Sequence, residues 1–151
     1  MSETMTSTPL RDAMYAMSLA QSVPDAELLV ISRSDLDAFR EHAARLGVAP
    51  RVRFHGFEPR PAQAFQAADV FVYPSGYDPF GLVVAEAMAT ALPVVTSAHI
   101  GVAEWIEHGR NGLLCDPAQP ATLRAALTQL AADPALAARL GAAARATTEA
   151  H

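Results

Sequence analysis

Apolar residues along this chain fall into two alternating patterns. Short apolar runs occupy 27–32, 70–73, 93–97 and 112–115, and a partly alternating one 52–56, each with the length of a strand. Between them, over 10–20, 61–68, 82–91, 121–132 and from 134 onward, apolar positions recur at the spacing of one helix face. A further helix is predicted to run to Leu46, with Ser34 or Asp35 as its cap and Gly47 as its stop. A short helix is predicted over 102–107, and Asp133-Pro134 is a ready N-cap and first-turn pair. Residues 1–9 read as a disordered tail ahead of one domain over 10–151.

Strands alternating with helices predict right-handed βαβ units. The expected fold class is therefore α/β, a doubly wound parallel sheet covered on both faces. In such sheets ligands gather at the carboxyl ends of the strands, here 32–34, 56–60, 74–82 and 97–102. The densest of these loops is Pro74-Ser75-Gly76-Tyr77-Asp78-Pro79-Phe80-Gly81, which runs straight into a helix. Free N–H groups at a helix start, with the helix dipole behind them, receive an anion without any cation. Gly81 has no Cβ to hold a ligand off the backbone, and Pro79 stiffens the turn.

The helix after that loop is apolar on nearly every side and is expected to be buried. Glu86 therefore stands out, because a buried carboxylate without partners costs on the order of 2–5 kcal/mol. A capping-box glutamate would fall at Val84, so capping does not explain Glu86. The vicinal hydroxyls of a ligand would satisfy it. With Asp78 at the mouth of the same loop, the pattern suits a ligand that is both a polyol and a phosphate.

Composition narrows the partners. A formal net charge of −5 supplies no field for nucleic acid or an anionic membrane, so any phosphate must be held by local geometry. All 11 cationic residues are arginine, which excludes a mechanism needing lysine from this chain. The single cysteine, Cys115, rules out a disulfide framework and reads as a small buried hydrophobe. No histidine pair has metal-ligand spacing, so no metal is expected. His55 and His99 read as satisfied structural histidines, Glu104 as a partner of a helix dipole and Trp105 as packing. No apolar run approaches the roughly 20 residues of a membrane span, and no signal-peptide pattern opens the chain. A cytoplasmic place, extending to the inner face of a membrane, is expected.

The run from Asp78 to Ala89, followed by Leu92-Pro93-Val94-Val95 and Gly101-Val102-Ala103-Glu104, resembles the donor-binding signature of the family 4 glycosyltransferases. The flanking Val52-Arg53-Phe54-His55-Gly56-Phe57 and Ala68-Asp69-Val70-Phe71-Val72 agree, and the similarity extends from about residue 10 to about 145. This resemblance implies retaining, metal-independent transfer by an enzyme of the GT-B fold. Its C-terminal, Rossmann-like half would bind a nucleoside diphosphate sugar, a UDP-sugar or GDP-sugar by preference, with no cofactor besides that donor.

The resemblance also implies roles. Asp78 takes the place of the first glutamate of a Glu-x7-Glu motif, which contacts the donor sugar, and is shorter by one methylene. Glu86 takes the place of the second, at the ribose hydroxyls. Phe80 and Gly81 match the stretch against the sugar, and Leu82 and Val83 the helix start whose N–H groups receive the distal phosphate. Phe57 and Glu58 fall where the nucleobase lies. The family usually carries Gly where Ala91 stands, so a crowded turn is expected there.

The family's acceptor domain and the first strand of its donor domain, with the Arg and Lys that clamp the diphosphate, have no counterpart here. Catalytic groups are expected in that N-terminal part, through which a glycan or lipid-linked acceptor would reach the site. Loss of the central first strand is expected to leave two strand edges open. Marginal stability, self-association or a partner chain would follow. The alternative reading is a non-catalytic nucleotide-sugar-binding fragment or relic acting with a partner chain, and a nucleotide-binding regulator on the same fold also stays open.

Overall fold

The computed structural model describes residues 23–33 and 35–151. It divides into two compact units, one ending at Glu58 and the other spanning Pro59–His151. The tail, the helix predicted over 10–20 and the Ser34 cap lie outside the described residues.

In the first unit, strand β1 (Leu28–Ile31) pairs in parallel with β2 (Val52–His55), Val30 standing opposite Phe54. Helix α1 (Asp37–Arg45) and a short 3-10 turn (Ala49–Arg51) connect them. The N-cap position of α1 is Leu36 and not Asp35, which lies one residue earlier and accepts the Asp37 N–H at 3.0 Å, while Gly47 ends the helix with φ +70°, as predicted for a glycine stop. Val30, Phe39, Ala43, Val48 and Val52 are buried together, with Leu28 and Phe54 packed against them. That core takes one face of each strand. The alternate residues Leu29 and Ile31 are 47% and 38% exposed, and Arg53 and His55, opposite them in register, are exposed too. Successive residues of a strand point to opposite sides, and the described residues of this unit put a helix on one side only.

The second unit runs α2 (Pro61–Gln66), β3 (Phe71–Tyr73), α3 (Leu82–Ala89), β4 (Val94–Ser97), a 3-10 helix (Gly101–Trp105), β5 (Leu113–Cys115), α4 (Pro120–Ala132) and α5 (Pro134–Ala150). Its three strands are parallel, in the order β3-β4-β5. Among the described residues the five strands thus form two parallel sheets. All four residues of the central β4 are buried, as a strand covered on both faces requires. Its two hydroxyls are satisfied: Thr96 donates to the Tyr73 carbonyl at 2.7 Å and Ser97 to that of Ser75. Asp133 caps α5 by accepting the Leu136 N–H at 2.9 Å, and Cys115 is buried. No helix among the described residues is long and apolar enough to cross a membrane.

Helix α3 packs against α5. Beneath that contact the chain turns at Ala91 with φ +61°, a left-handed conformation that costs an L-residue about 1–2 kcal/mol. The crowded turn foreseen at Ala91 is therefore strained backbone. Ala91→Gly removes that strain but raises unfolded-chain entropy, leaving a net gain of about 0.5–1 kcal/mol. Thermal unfolding is expected to show a midpoint raised by a few degrees; a lowered one would mean that the turn holds alanine without strain.

Candidate functional site

The C-terminal ends of β3 and β4 converge on the loop 74–81. Pro74 and Ser75 are buried at its root, where the Ser75 hydroxyl donates to the Tyr77 carbonyl at 3.1 Å. Its outer part is held by backbone. Asp78 and Ile100 form a parallel bridge, the Gly101 N–H donates to the Asp78 carbonyl at 3.2 Å, and the Val102 N–H to that of Phe80 at 2.6 Å. The segment 100–102 is thus a splint along the loop.

Gly81 is the N-cap of α3 with φ +81°. A Cβ there would come 2.9 Å from Ile100 Cδ1, so Ile100 already fills the space that the sequence reading left for a ligand. Left-handed backbone and packing beneath the loop, rather than ligand approach on that side, require this glycine.

The Asp78 carboxylate turns back onto the loop. Oδ1 accepts the N–H groups of Phe80 at 3.0 Å and Gly81 at 2.6 Å, and Oδ2 accepts the Tyr73 hydroxyl at 2.9 Å. Burial raises its pKa, but the donations from Phe80, Tyr73 and Gly81 outweigh burial and hold it below the usual carboxylate range. With Asp78 serving Phe80 and Gly81, the next two N–H groups, of Leu82 and Val83, have no acceptor among the described residues. Tyr77 (71% exposed), Phe80 (41%) and Leu82 (62%) are the large apolar residues that this stretch of chain leaves exposed.

Glu86 is exposed, which corrects the expectation of burial. Only Val84, Ala87 and Met88 of α3 are fully buried; Leu82, Glu86 and Ala89, spaced for the opposite side, face outward. Glu86 lines an open groove of about 540 Å³ with Arg60, Pro61, Gln63, Phe65 and Thr90. A second cavity of about 350 Å³, between Asp69, Ala91 and Ala138, lies at the N-terminal ends of β3 and β4 and holds none of the predicted residues.

In the first unit, Phe57 and Glu58 follow β2. Phe57 is 55% exposed with the Arg33 guanidinium 3.8 Å above its ring, and Glu58 lies 3.5 Å from His55 Nε2. His55 is thus a surface histidine facing an acid. Trp105 packs edge-on to Phe80, ring centroids 5.4 Å apart, which agrees with a packing role. Glu104 and His99 are exposed. Sequence reasoning missed Tyr73, Ile100 and Arg33 as parts of these clusters. None carries a local signal, since each acts on a residue beyond a turn or on another strand.

The chain matches the family model described as glycosyl transferases group 1 over residues 12–147. It is 40% identical to a D-inositol 3-phosphate glycosyltransferase of Thermomonospora curvata over 112 residues, 73% of this chain and 26% of that protein. The chain spans about a quarter of the length of such curated relatives. Among solved structures it resembles HepE of Anabaena, in complex with UDP and glucose, with 28% identity and a TM-score of 0.84 over 91% of this chain and 39% of that one. A crystallised C-terminal domain of the group 1 protein LpcC from Francisella tularensis shares the fold, with 23% identity and a TM-score of 0.81 over 95% of this chain and 78% of that one.

Proposed function

We propose that this chain, which belongs to the group 1 glycosyltransferases, is the donor-binding part of a retaining enzyme that moves a hexose from a nucleoside diphosphate sugar to a glycan or lipid-linked acceptor. The observation that carries the reading is the pair of unclaimed N–H groups, Leu82 and Val83, at the start of α3. A departing nucleoside diphosphate gathers negative charge on its distal phosphate as the glycosidic bond breaks. Two N–H groups already oriented by a helix, with its dipole behind them, stabilise that charge without reorganising. No lysine of this chain takes part, because it has none.

The remaining assignments follow along the helix. Glu86 lies one turn beyond Leu82, about 6 Å along the axis, and both residues face outward from α3. Its exposure leaves the carboxylate available to two ribose hydroxyls. Phe80 and Gly81 carry the sugar side of the loop, and Asp78 anchors it. The UDP-bound HepE structure supports a uridine or similar nucleotide. The acceptor and the catalytic groups are assigned to parts of the enzyme beyond this chain.

Calorimetric titration with UDP, GDP and ADP tests the reading. One of them is expected to bind, and Glu86→Ala to weaken it about 10- to 100-fold, the worth of charge-assisted hydrogen bonds of roughly 1.5–3 kcal/mol. The melting midpoint of that variant is expected to stay unchanged, since Glu86 is exposed. A folded chain that binds none of the three would overturn the proposal.

A further inference from the structure

We propose that Tyr73 is a positioning residue for sugar recognition, holding Asp78 so that its carboxylate reads a single hydroxyl of the donor sugar. This rests on the donor reading above and adds the part of the site that selects the sugar. An ionised carboxylate offers about four lone-pair positions. Both positions on Oδ1 of Asp78 are taken by the N–H groups of Phe80 and Gly81, and one on Oδ2 by the Tyr73 hydroxyl. One acceptor position remains, on Oδ2. Asp78 is therefore able to take one hydroxyl and not a vicinal pair, and Tyr73 decides where on Oδ2 that position lies.

Tyr73 is itself well placed for this. It is the last residue of β3, and its carbonyl accepts the Thr96 hydroxyl of the neighbouring strand at 2.7 Å. Its ring stacks on that of Phe71, centroids 6.2 Å apart and planes within 11°. The hydroxyl thus comes from a sheet edge rather than from the loop, and ties the orientation of Asp78 to the rigid part of the unit. The Phe80 and Gly81 contacts stay on Oδ1 when the hydroxyl is removed, so the loop keeps its shape while Oδ2 is freed.

Tyr73→Phe separates the two effects. Without ligand, the Asp78 carboxyl is followed by carbon NMR through a pH titration. It is expected to titrate below the usual range in the unsubstituted chain and to move up in Tyr73→Phe, while the Phe80 and Gly81 amides keep their exchange protection. With ligand, UDP is compared with UDP-glucose and UDP-N-acetylglucosamine, and GDP with GDP-mannose. Tyr73→Phe is expected to leave the affinity for the bare nucleotide unchanged and to lose about 3- to 10-fold of the extra affinity contributed by the sugar. Retention of that extra affinity overturns the inference, as does an equal loss for bare nucleotide and nucleotide sugar with a lowered melting midpoint, the mark of a merely structural tyrosine. An unsubstituted chain that binds sugar nucleotides no better than bare ones also overturns it. If that chain binds no nucleotide at all, the donor reading fails first and takes this inference with it.

Discussion

Gly141→Ala is expected to lower the thermal midpoint of this chain by roughly 10 °C, the opposite of what helix propensity dictates. In an open helix interior the same change gains about 1 kcal/mol. Gly141, however, is buried in α5 where that helix crosses the turn at Ala91. A Cβ there would sit 3.0 Å from the Ala91 carbonyl carbon, 3.3 Å from Pro93 Cδ, and closer still to the Ala91 carbonyl oxygen. The turn has little freedom to retreat. The Ala91 N–H is bonded to Met88 at 3.0 Å, and the Pro93 carbonyl accepts the Phe71 N–H at 2.9 Å at the entry to the sheet. Either α5 moves off α3 or those bonds stretch, at a cost of about 3 kcal/mol. Across a chain of this size each kcal/mol shifts the midpoint by about 2–4 °C. Differential scanning calorimetry reads the result, and a raised midpoint would show that α5 slides freely over the turn.

Gly101→Ala is expected to lose both stability and nucleotide affinity. Its Cβ would lie 3.0 Å from Phe80 Cα and 3.2 Å from the Pro79 carbonyl carbon, with the Pro79 oxygen nearer again. Those atoms are backbone of the loop that presents the Leu82 and Val83 N–H groups, so the loop itself must shift. Overpacking against backbone costs about 2–3 kcal/mol. A misplacement of about 1 Å in binding groups is able to cost on the order of 100-fold, which sets the expected loss of nucleoside diphosphate affinity. The pairing of effects distinguishes this variant from Glu86→Ala, which loses affinity at constant stability. Unchanged affinity in folded Gly101→Ala would remove the 78–83 loop from the binding site.

The two glycines show why some of the molecule was legible in its sequence and some was not. Asp133-Pro134 opened α5, Gly47 closed α1 and the unbroken run at β4 proved buried on both faces, because caps, stops and strand burial are written in neighbouring residues. The short helix predicted over 102–107 is a 3-10 helix over Gly101–Trp105, with its first residues engaged in bonding to the loop. Glu86 misled for a related reason. The apolar content of α3 shows that the helix has a core side, but not whether its other side is covered. Asp78 was singled out from its motif, yet its partner Tyr73 stands on β3 and carries no mark of that contact.

Sequence alone determined the order of strands and helices, the parallel character of the sheets and the place of the loop that leads into α3, to which the phosphate is assigned by proposal. Periodicity, turn chemistry and a helix start act over a few residues. Tertiary structure decided that Glu86 faces outward, that Asp78 is bonded to Phe80, Gly81 and Tyr73, and that backbone stands where a Cβ of Gly101 or Gly141 would go. Those facts depend on which backbone passes within 3–4 Å of which, and that distance is set only when separate segments pack to the density of a protein interior.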